Sequence, residues 1–278
     1  VRILVGVLLL LLTACSVPRG ATPAGTAERH LSFDGSDRTY LVHVPRDLKS
    51  PAPLVVMLHG GFGSAQQAER AYGWDDLADR EGFVVAYPNG VGRAWNTTGG
   101  CCGEPARNGV DDVGFITAVV AAIEKDMRID STRVYATGMS NGAIMTYTLA
   151  CRTSIFAAIA PVAGTQLGDC SKPTPTSVIH VHGTDDKNIP YDGSRGTGFA
   201  KIQGVAIPEL DAQWRTIDNC AAPTVRVNGV TTIQVATCPN GRTVELVTLA
   251  GGGHDWPQAS NGFDTTAELW RFLSQYST

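Results

Sequence analysis

The sequence predicts an α/β fold in which a mostly parallel central sheet is covered by helices on both faces. Short β-branched runs alternate with longer segments of helical periodicity, and several of the runs are apolar without interruption. Strands that alternate with helices return to one sheet in one direction, and a strand with no polar position is buried on both faces. Size agrees: 278 residues, 43% hydrophobic and 17% charged, supply one large core. No internal repeat or second-domain linker breaks the pattern.

The amino end stands apart from this pattern. Val1-Arg2 is followed by an apolar run from Ile3 to Leu12, broken by Gly6. As a helix, ten residues rise about 15 Å against a bilayer core of roughly 30 Å, so the run fits a secretory signal better than a membrane span. The segment Leu12-Thr13-Ala14-Cys15 resembles the bacterial lipobox, in which the Cys is lipidated and becomes the first mature residue. Residues 1–14 are thus expected to be a lipoprotein signal peptide; the alternative is an ordinary signal with a chance Cys. Residues 15–28, with Pro18, Gly20, Pro23 and Gly25, read as a flexible tether, and 29–278 as the folded domain. The chain is expected in the cell envelope, anchored through Cys15 to the outer face of the cytoplasmic membrane, or released.

Tyr40–Val44 alternates like an early antiparallel strand, and Leu54–Leu58 is continuously apolar. Gln66–Arg80 reads as a helix, Phe83–Tyr87 as a strand and Asp111–Met127 as a helix, with acidic residues at its start and Lys125 and Arg128 at its end. Arg133–Thr137 is a strand, Asn141–Ala150 a helix, and Ala157–Val162, Ser177–His182 and Val244–Leu249 are further strands. The last helix opens on a capping-box pattern, Thr265-x-x-Glu268, and buries Leu269, Trp270 and Leu273. The Gly-rich stretch 187–207 is irregular: a substrate loop or a surface excursion.

Net charge is −4 and no basic run occurs, which argues against a nucleic-acid partner. Setting Cys15 aside leaves six cysteines, an even number that suits disulfides in an oxidising compartment. Cys220 and Cys238 bracket a hairpin-like segment, Val225–Ala236, and are expected to pair. Adjacent Cys101 and Cys102 are expected to seek distant partners, with Cys151 and Cys170 as candidates, because a bond between neighbours would strain the peptide. A metal site is not expected, since no CxxC occurs and no His stands at ligand spacing.

The strongest chemical motif is Gly138-Met139-Ser140-Asn141-Gly142, placed where a strand ends and a helix begins. Two glycines allow the sharp turn that lifts a Ser hydroxyl above a sheet, and the helix N-terminus favours developing negative charge. A Ser nucleophile needs a base and a group to orient it. Of the six His residues, His30 lies near the tether, His43 and His180 lie within strands, and His59 and His182 precede Gly at strand ends, where they brace turns. His254, after Gly251-Gly252-Gly253 and before the final helix, stands where this architecture carries its base on a flexible loop. For the acid, Asp185 and Asp186 compete at the end of Ser177–His182. The order Ser, Asp, His is that of α/β-hydrolases. The oxyanion donors are expected to be the backbone N–H groups of Asn141 and, from the turn His59-Gly60-Gly61-Phe62-Gly63, of Gly61 first and Phe62 second.

The blocks LHGGFG, AWNTTGGCCG, DDVGF, GMSNGA, APVAG, HGTDD..IPY and GGGHDWP resemble the esterase family of secreted polyhydroxybutyrate depolymerases, feruloyl esterases and acetylxylan esterases. The similarity runs from about Leu31 to Tyr276 and is strongest to an actinobacterial lipoprotein branch. It implies an α/β-hydrolase catalytic domain with Ser140 as nucleophile, His254 as base and Asp186, rather than Asp185, as acid. Phe62, Trp95, Asn96 and Trp256 could line an aromatic-accepting cleft, or be packed in the core. Asp111 and Asp112 could reach the site, but helix capping explains them. The implied reaction is hydrolysis of carboxylic esters through an acyl-enzyme, with no metal or organic cofactor. The implied substrates are feruloyl or acetyl esters of polysaccharide, or alternatively a polyester such as polyhydroxybutyrate. A non-catalytic surface lipoprotein is the alternative of another class, and a peptidase on the same fold ranks below both.

Overall fold

A computed structural model describes residues 24–278. The expected signal peptide at 1–14, Cys15 and the expected tether as far as residue 23 lie outside the described residues. Among the described residues one sheet has ten strands: β1 (Gly25–Phe33), β2 (Ser36–Val44), β3 (Ala52–Leu58), β4 (Val84–Pro88), β5 (Ile129–Met139), β6 (Ala158–Val162), β7 (Ser177–Gly183), β8 (Thr224–Asn228), β9 (Thr231–Thr237) and β10 (Thr243–Leu249). Their order is β1-β2-β4-β3-β5-β6-β7-β10-β9-β8. The central strands β4, β3, β5, β6, β7 and β10 are parallel to one another, while β1, β2, β8 and β9 add antiparallel edges.

The helices are α1 (Ala65–Tyr72), α2 (Trp74–Glu81), α3 (Gly103–Asn108), α4 (Asp112–Asp126), α5 (Asn141–Arg152), α6 (Ile207–Ile217) and α7 (Thr265–Leu273). They cover both faces and create two cores. Side chains alternate along a strand, so β3 sends Val55 and Met57 into the core beneath α1, α2 and α7. Its Leu54, Val56 and Leu58 enter the core beneath α4, α5 and α6. This two-sided burial is why β3 has no polar position.

Several sequence expectations need correction. The tether does not reach residue 28, because Gly25–Glu28 already pair with Leu41–Val44. The helix expected over Gln66–Arg80 is two helices, broken at Gly73, whose left-handed φ of 71° ends α1 and starts α2. The cap of α7 is Asp264, which accepts from the Ala267 N–H at 3.1 Å. Thr265 is therefore already inside the helix, one residue past the expected capping position.

The cysteines pair as Cys101–Cys102, Cys151–Cys170 and Cys220–Cys238. The last is the expected bridge across the β8–β9 hairpin. Distant partners for Cys101 and Cys102 are not found. Cys101 and Cys102 pair with each other, and Cys151 and Cys170 satisfy one another.

Candidate active site

The nucleophile-type turn joins β5 to α5. Ser140 takes φ 57° and ψ −118°, a backbone conformation that costs a non-glycine residue free energy and clusters at functional sites. The turn is held by the Ser140 N–H donating to Val162 O at 2.9 Å. Both flanking glycines are required by space. A Cβ on Gly138 would stand 2.5 Å from the Gly142 backbone, and one on Gly142 would stand 2.2 Å from Leu58 O. Neither approach is compatible with a side chain.

The structure brings Ser140, His254 and Asp186 together across 114 and 68 residues of chain. Ser140 Oγ lies 2.8 Å from His254 Nε2, and His254 Nδ1 lies 2.7 Å from Asp186 Oδ2. With Nδ1–H donating to the carboxylate, Nε2 is left as the acceptor of the Ser140 hydroxyl. Asp186 also accepts from the N–H groups of Asn188 (2.8 Å) and Ile189 (2.9 Å) through Oδ1. Burial acts to raise its pKa. Hydrogen bonds from His182 and His254, with the Ile189 N–H, outweigh burial and hold the carboxyl well below the usual carboxylate range. Asp185, by contrast, is exposed.

The turn after β3 faces Ser140 from the other side. His59 is buried, and burial lowers its pKa to about 4, so it is neutral. Its Nδ1–H donates to Gly60 O (2.8 Å) and its Nε2 accepts from the Gly90 N–H (3.0 Å), bracing the turn as expected. The Phe62 N–H is already donated to Arg93 O at 2.8 Å, leaving Gly61 as the candidate donor from this turn. The Asn141 side chain is fixed by the Trp95 backbone: Oδ1 accepts from Trp95 N–H (2.7 Å) and Nδ2 donates to Trp95 O (3.2 Å).

These groups open onto a cavity of about 440 Å³ lined by Gly61, Phe62, Ser140, Asn141 and His254. Its remaining wall includes the Cys101–Cys102 bridge, Ile144, Ile189, Phe199 and Ile202. Phe62 and Phe199 are 64% and 79% exposed and meet edge to face at 5.2 Å. The irregular stretch 187–207 thus lines the cavity and is strapped down, with Gly198 N–H donating to Lys187 O and Ile202 N–H to Asn188 O.

Trp95 and Trp256 do not line the cavity. Trp95 is fully buried and its Nε1–H donates to His59 O at 2.8 Å. Trp256 packs on Tyr72 with centroids 4.5 Å apart and donates to Thr266 Oγ1. Large aromatic surface is more favourably removed from water than left at a rim once its N–H has a partner. Asn96 donates to Val110 O, and Asp112 pairs with buried Arg38 at 2.8 Å, so both are structural. Asp111 caps α4 through the Gly114 N–H. Sequence reasoning missed Phe199, Ile202 and the cysteine bridge; their only signal was the irregularity of the stretches that carry them.

The parallel sheet, the elbow at the end of β5 and the chain order of the three groups define an α/β-hydrolase. Among solved structures, an acetyl xylan esterase from Aspergillus awamori shares this fold with a TM-score of 0.67 at 17% identity, covering 89% of this chain and 99% of that one. Residues 39–190 match the family described as Esterase PHB depolymerase. The chain belongs to that family of carboxylic ester hydrolases. Its relatives include the bifunctional acetylxylan esterase/xylanase XynS20E of Neocallimastix patriciarum, 29% identical over 87% of this chain and 34% of that protein. Feruloyl esterase B of Piromyces equi is 29% identical over 81% of this chain and 42% of its own length. The chain therefore spans less than half of either relative.

Proposed function

We propose that the chain hydrolyses carboxylic esters through a covalent acyl-enzyme formed on Ser140. The observation that carries this reading is the continuous relay from Ser140 Oγ to His254 (2.8 Å) to Asp186 (2.7 Å) at the wall of the cavity. Ser140 Oγ attacks the ester carbonyl carbon while His254 Nε2 takes its proton. The oxyanion is held by the N–H groups of Gly61 and Asn141, each worth about 2.7–4 kcal/mol to the transition state. His254 returns the proton to the leaving alcohol, then activates a water that releases the acid and restores Ser140. Asp186 keeps His254 in the Nδ1–H tautomer and stabilises the imidazolium. No step calls for a metal or organic cofactor.

The acyl groups proposed are feruloyl or acetyl, borne on polysaccharide. A cavity of this size with two exposed phenyl rings at its mouth suits an aromatic acyl group, and the named activities of the relatives lie in this range. Polyhydroxybutyrate is the second reading, favoured by the family that residues 39–190 match. Three disulfides suit an oxidising compartment, so the enzyme is proposed to work outside the cytoplasm, held by a lipid on Cys15. Mass spectrometry of the purified native protein tests that anchor: an unmodified Cys15 in the mature chain overturns it.

A fluorophosphonate probe tests the nucleophile. Wild type is expected to be labelled and Ser140→Ala unlabelled; an unlabelled wild type would favour the non-catalytic binding protein. Rates on methyl ferulate, acetylated xylan, short nitrophenyl esters and polyhydroxybutyrate rank the substrates. Inactivity on all four would refute the proposal of a polymer esterase.

A further inference from the structure

Behind Asp186 lies a buried chain of polar side chains that the acyl-enzyme mechanism does not use. His180 and His182 are two apart on β7 and so point to the same face, where their rings stack at 5.2 Å. Tyr147, from α5, places its OH 2.6 Å from His180 Nδ1. His180 Nε2 lies 2.9 Å from His182 Nδ1. His182 Nε2 lies 2.9 Å from Ile189 O and 3.3 Å from Asp186 Oδ2. All three side chains are almost completely removed from solvent.

With both imidazoles neutral, the contact with Ile189 fixes the direction of every bond. A carbonyl oxygen can only accept, so His182 Nε2 carries a hydrogen. In neutral His182 the Nδ1 is then an acceptor, which requires Nε2–H on His180. His180 Nδ1 is in turn an acceptor, and the Tyr147 hydroxyl donates to it. Burial pushes the His180 pKa well below its ordinary value, consistent with a neutral His180. Each polar atom of the chain then has one partner of the right kind, as a dry interior demands.

One N–H thus serves two groups that matter to the site. Ile189 forms part of the cavity wall, and its own N–H donates back to Asp186 Oδ1. We propose that His182 is a positioning residue: its Nε2–H ties the Asp186 carboxylate to the cavity-lining Ile189, and Tyr147 and His180 lock the tautomer that makes this N–H available. The proposal rests on the reading of Asp186 as the acid. The chain moves no proton during the reaction; it holds Asp186 in the orientation His254 needs.

The test compares His182→Leu, which fills the space without a donor, with His182→Gln, whose amide nitrogen can replace Nε2–H. Steady-state rates on nitrophenyl acetate and methyl ferulate are measured on the full chain, with folding checked by circular dichroism. His182→Leu is expected to lower kcat about 10- to 100-fold, as a misplaced catalytic group does, while KM for the acetyl ester stays within about threefold. His182→Gln is expected to recover kcat to within about fivefold of wild type. A folded His182→Leu with wild-type kcat, or a folded His182→Gln as slow as His182→Leu, overturns the proposal. Nitrogen-15 NMR of wild type decides the tautomers without any variant: Nε2–H on neutral His180 and His182 is expected. A hydrogen on His182 Nδ1 overturns the lock even if His182→Leu does not fold. Full activity in Ser140→Ala would instead defeat the acyl-enzyme reading, so the two failures remain distinct.

Discussion

Replacing Gly142 by Ala puts the elbow geometry to a quantitative test. The new Cβ would lie 2.2 Å from Leu58 O and 2.7 Å from His59 O, where ordinary contact begins near 3.4 Å. Both neighbours are backbone atoms, so no side chain can swing aside. The start of α5 and the end of β3 must separate by about 1.2 Å to restore ordinary contact. That gap divides Ser140 and Asn141 on one side from Gly61 on the other. A 1 Å misplacement costs about 100-fold in rate, and loss of an oxyanion donor about 100- to 1000-fold. Gly142→Ala should therefore reduce kcat on nitrophenyl acetate by about 100- to 1000-fold. Overpacking should cost about 1–3 kcal/mol of stability, read as a Tm several degrees lower. Initial rates across a range of ester concentrations and a thermal melt measure both. A folded Gly142→Ala enzyme within threefold of wild-type kcat would refute the claim that this approach sets the geometry.

Asp186→Asn should keep the fold but reduce kcat by about 10⁴-fold, because the amide favours the wrong His254 tautomer; a loss below tenfold, measured on the same ester, would contradict the role given to Asp186. Phe199→Ala should raise KM for methyl ferulate roughly 2- to 10-fold through loss of one ring of the exposed pair, with Tm unchanged. Trp95→Ala should destabilise the fold by about 3–5 kcal/mol in denaturant melts; an unchanged melt with only KM altered would return Trp95 to the cleft. For His43, burial lowers the pKa, but hydrogen bonds and charges from Asp75 and Asp79 overcome it and raise it to about 9. The folded state holds this proton more tightly than the unfolded one. Its stabilisation is complete below about 6.5 and is lost as pH rises through about 9. The melting temperature should fall over that interval in wild type, and His43→Gln should flatten this part of the profile.

Where the sequence was readable, local chemistry and tertiary structure made the same demand. Gly138 and Gly142 mark the elbow because a Cβ at either position would meet backbone, and β3 is uninterruptedly apolar because both its faces are covered. Asp186 could be separated from Asp185 only through family resemblance, since both follow one strand and only the fold, which buries Asp186 and brings it to His254, distinguishes them. β1 went unread because, as an edge strand, it keeps an exposed or half-exposed pattern with no apolar run. α6 was hidden behind a Gly-rich approach and opens with Pro208 in its first turn. Trp95 and Trp256 were ambiguous for a different reason. An indole beside active-site motifs carries the same letters whether it faces a ligand or the core, and only its neighbours decide.

The loop that carries His254 shows why Gly-rich composition is a poor guide to freedom of movement. Gly251-Gly252-Gly253 suggested a flexible carrier for the base, yet this segment is fastened to the turn that carries Asp186. Thr184 N–H donates to Leu249 O at 3.0 Å, Asp185 N–H to Gly252 O at 2.9 Å, and Gly251 N–H to Thr184 Oγ1 at 2.8 Å. The two backbones come so close that a Cβ on Gly183 would lie 2.2 Å from Gly252 O. Glycine at 183 is thus required for contact rather than for mobility. Because β7 and β10 are parallel neighbours, both loops leave the same end of the sheet side by side. The Asp186–His254 distance is consequently set by strand pairing and three hydrogen bonds before any ester arrives. Preorganisation of that kind is where a hydrolase of this design gains rate, and it places the adjustable part of the site elsewhere, at the exposed rings of Phe62 and Phe199.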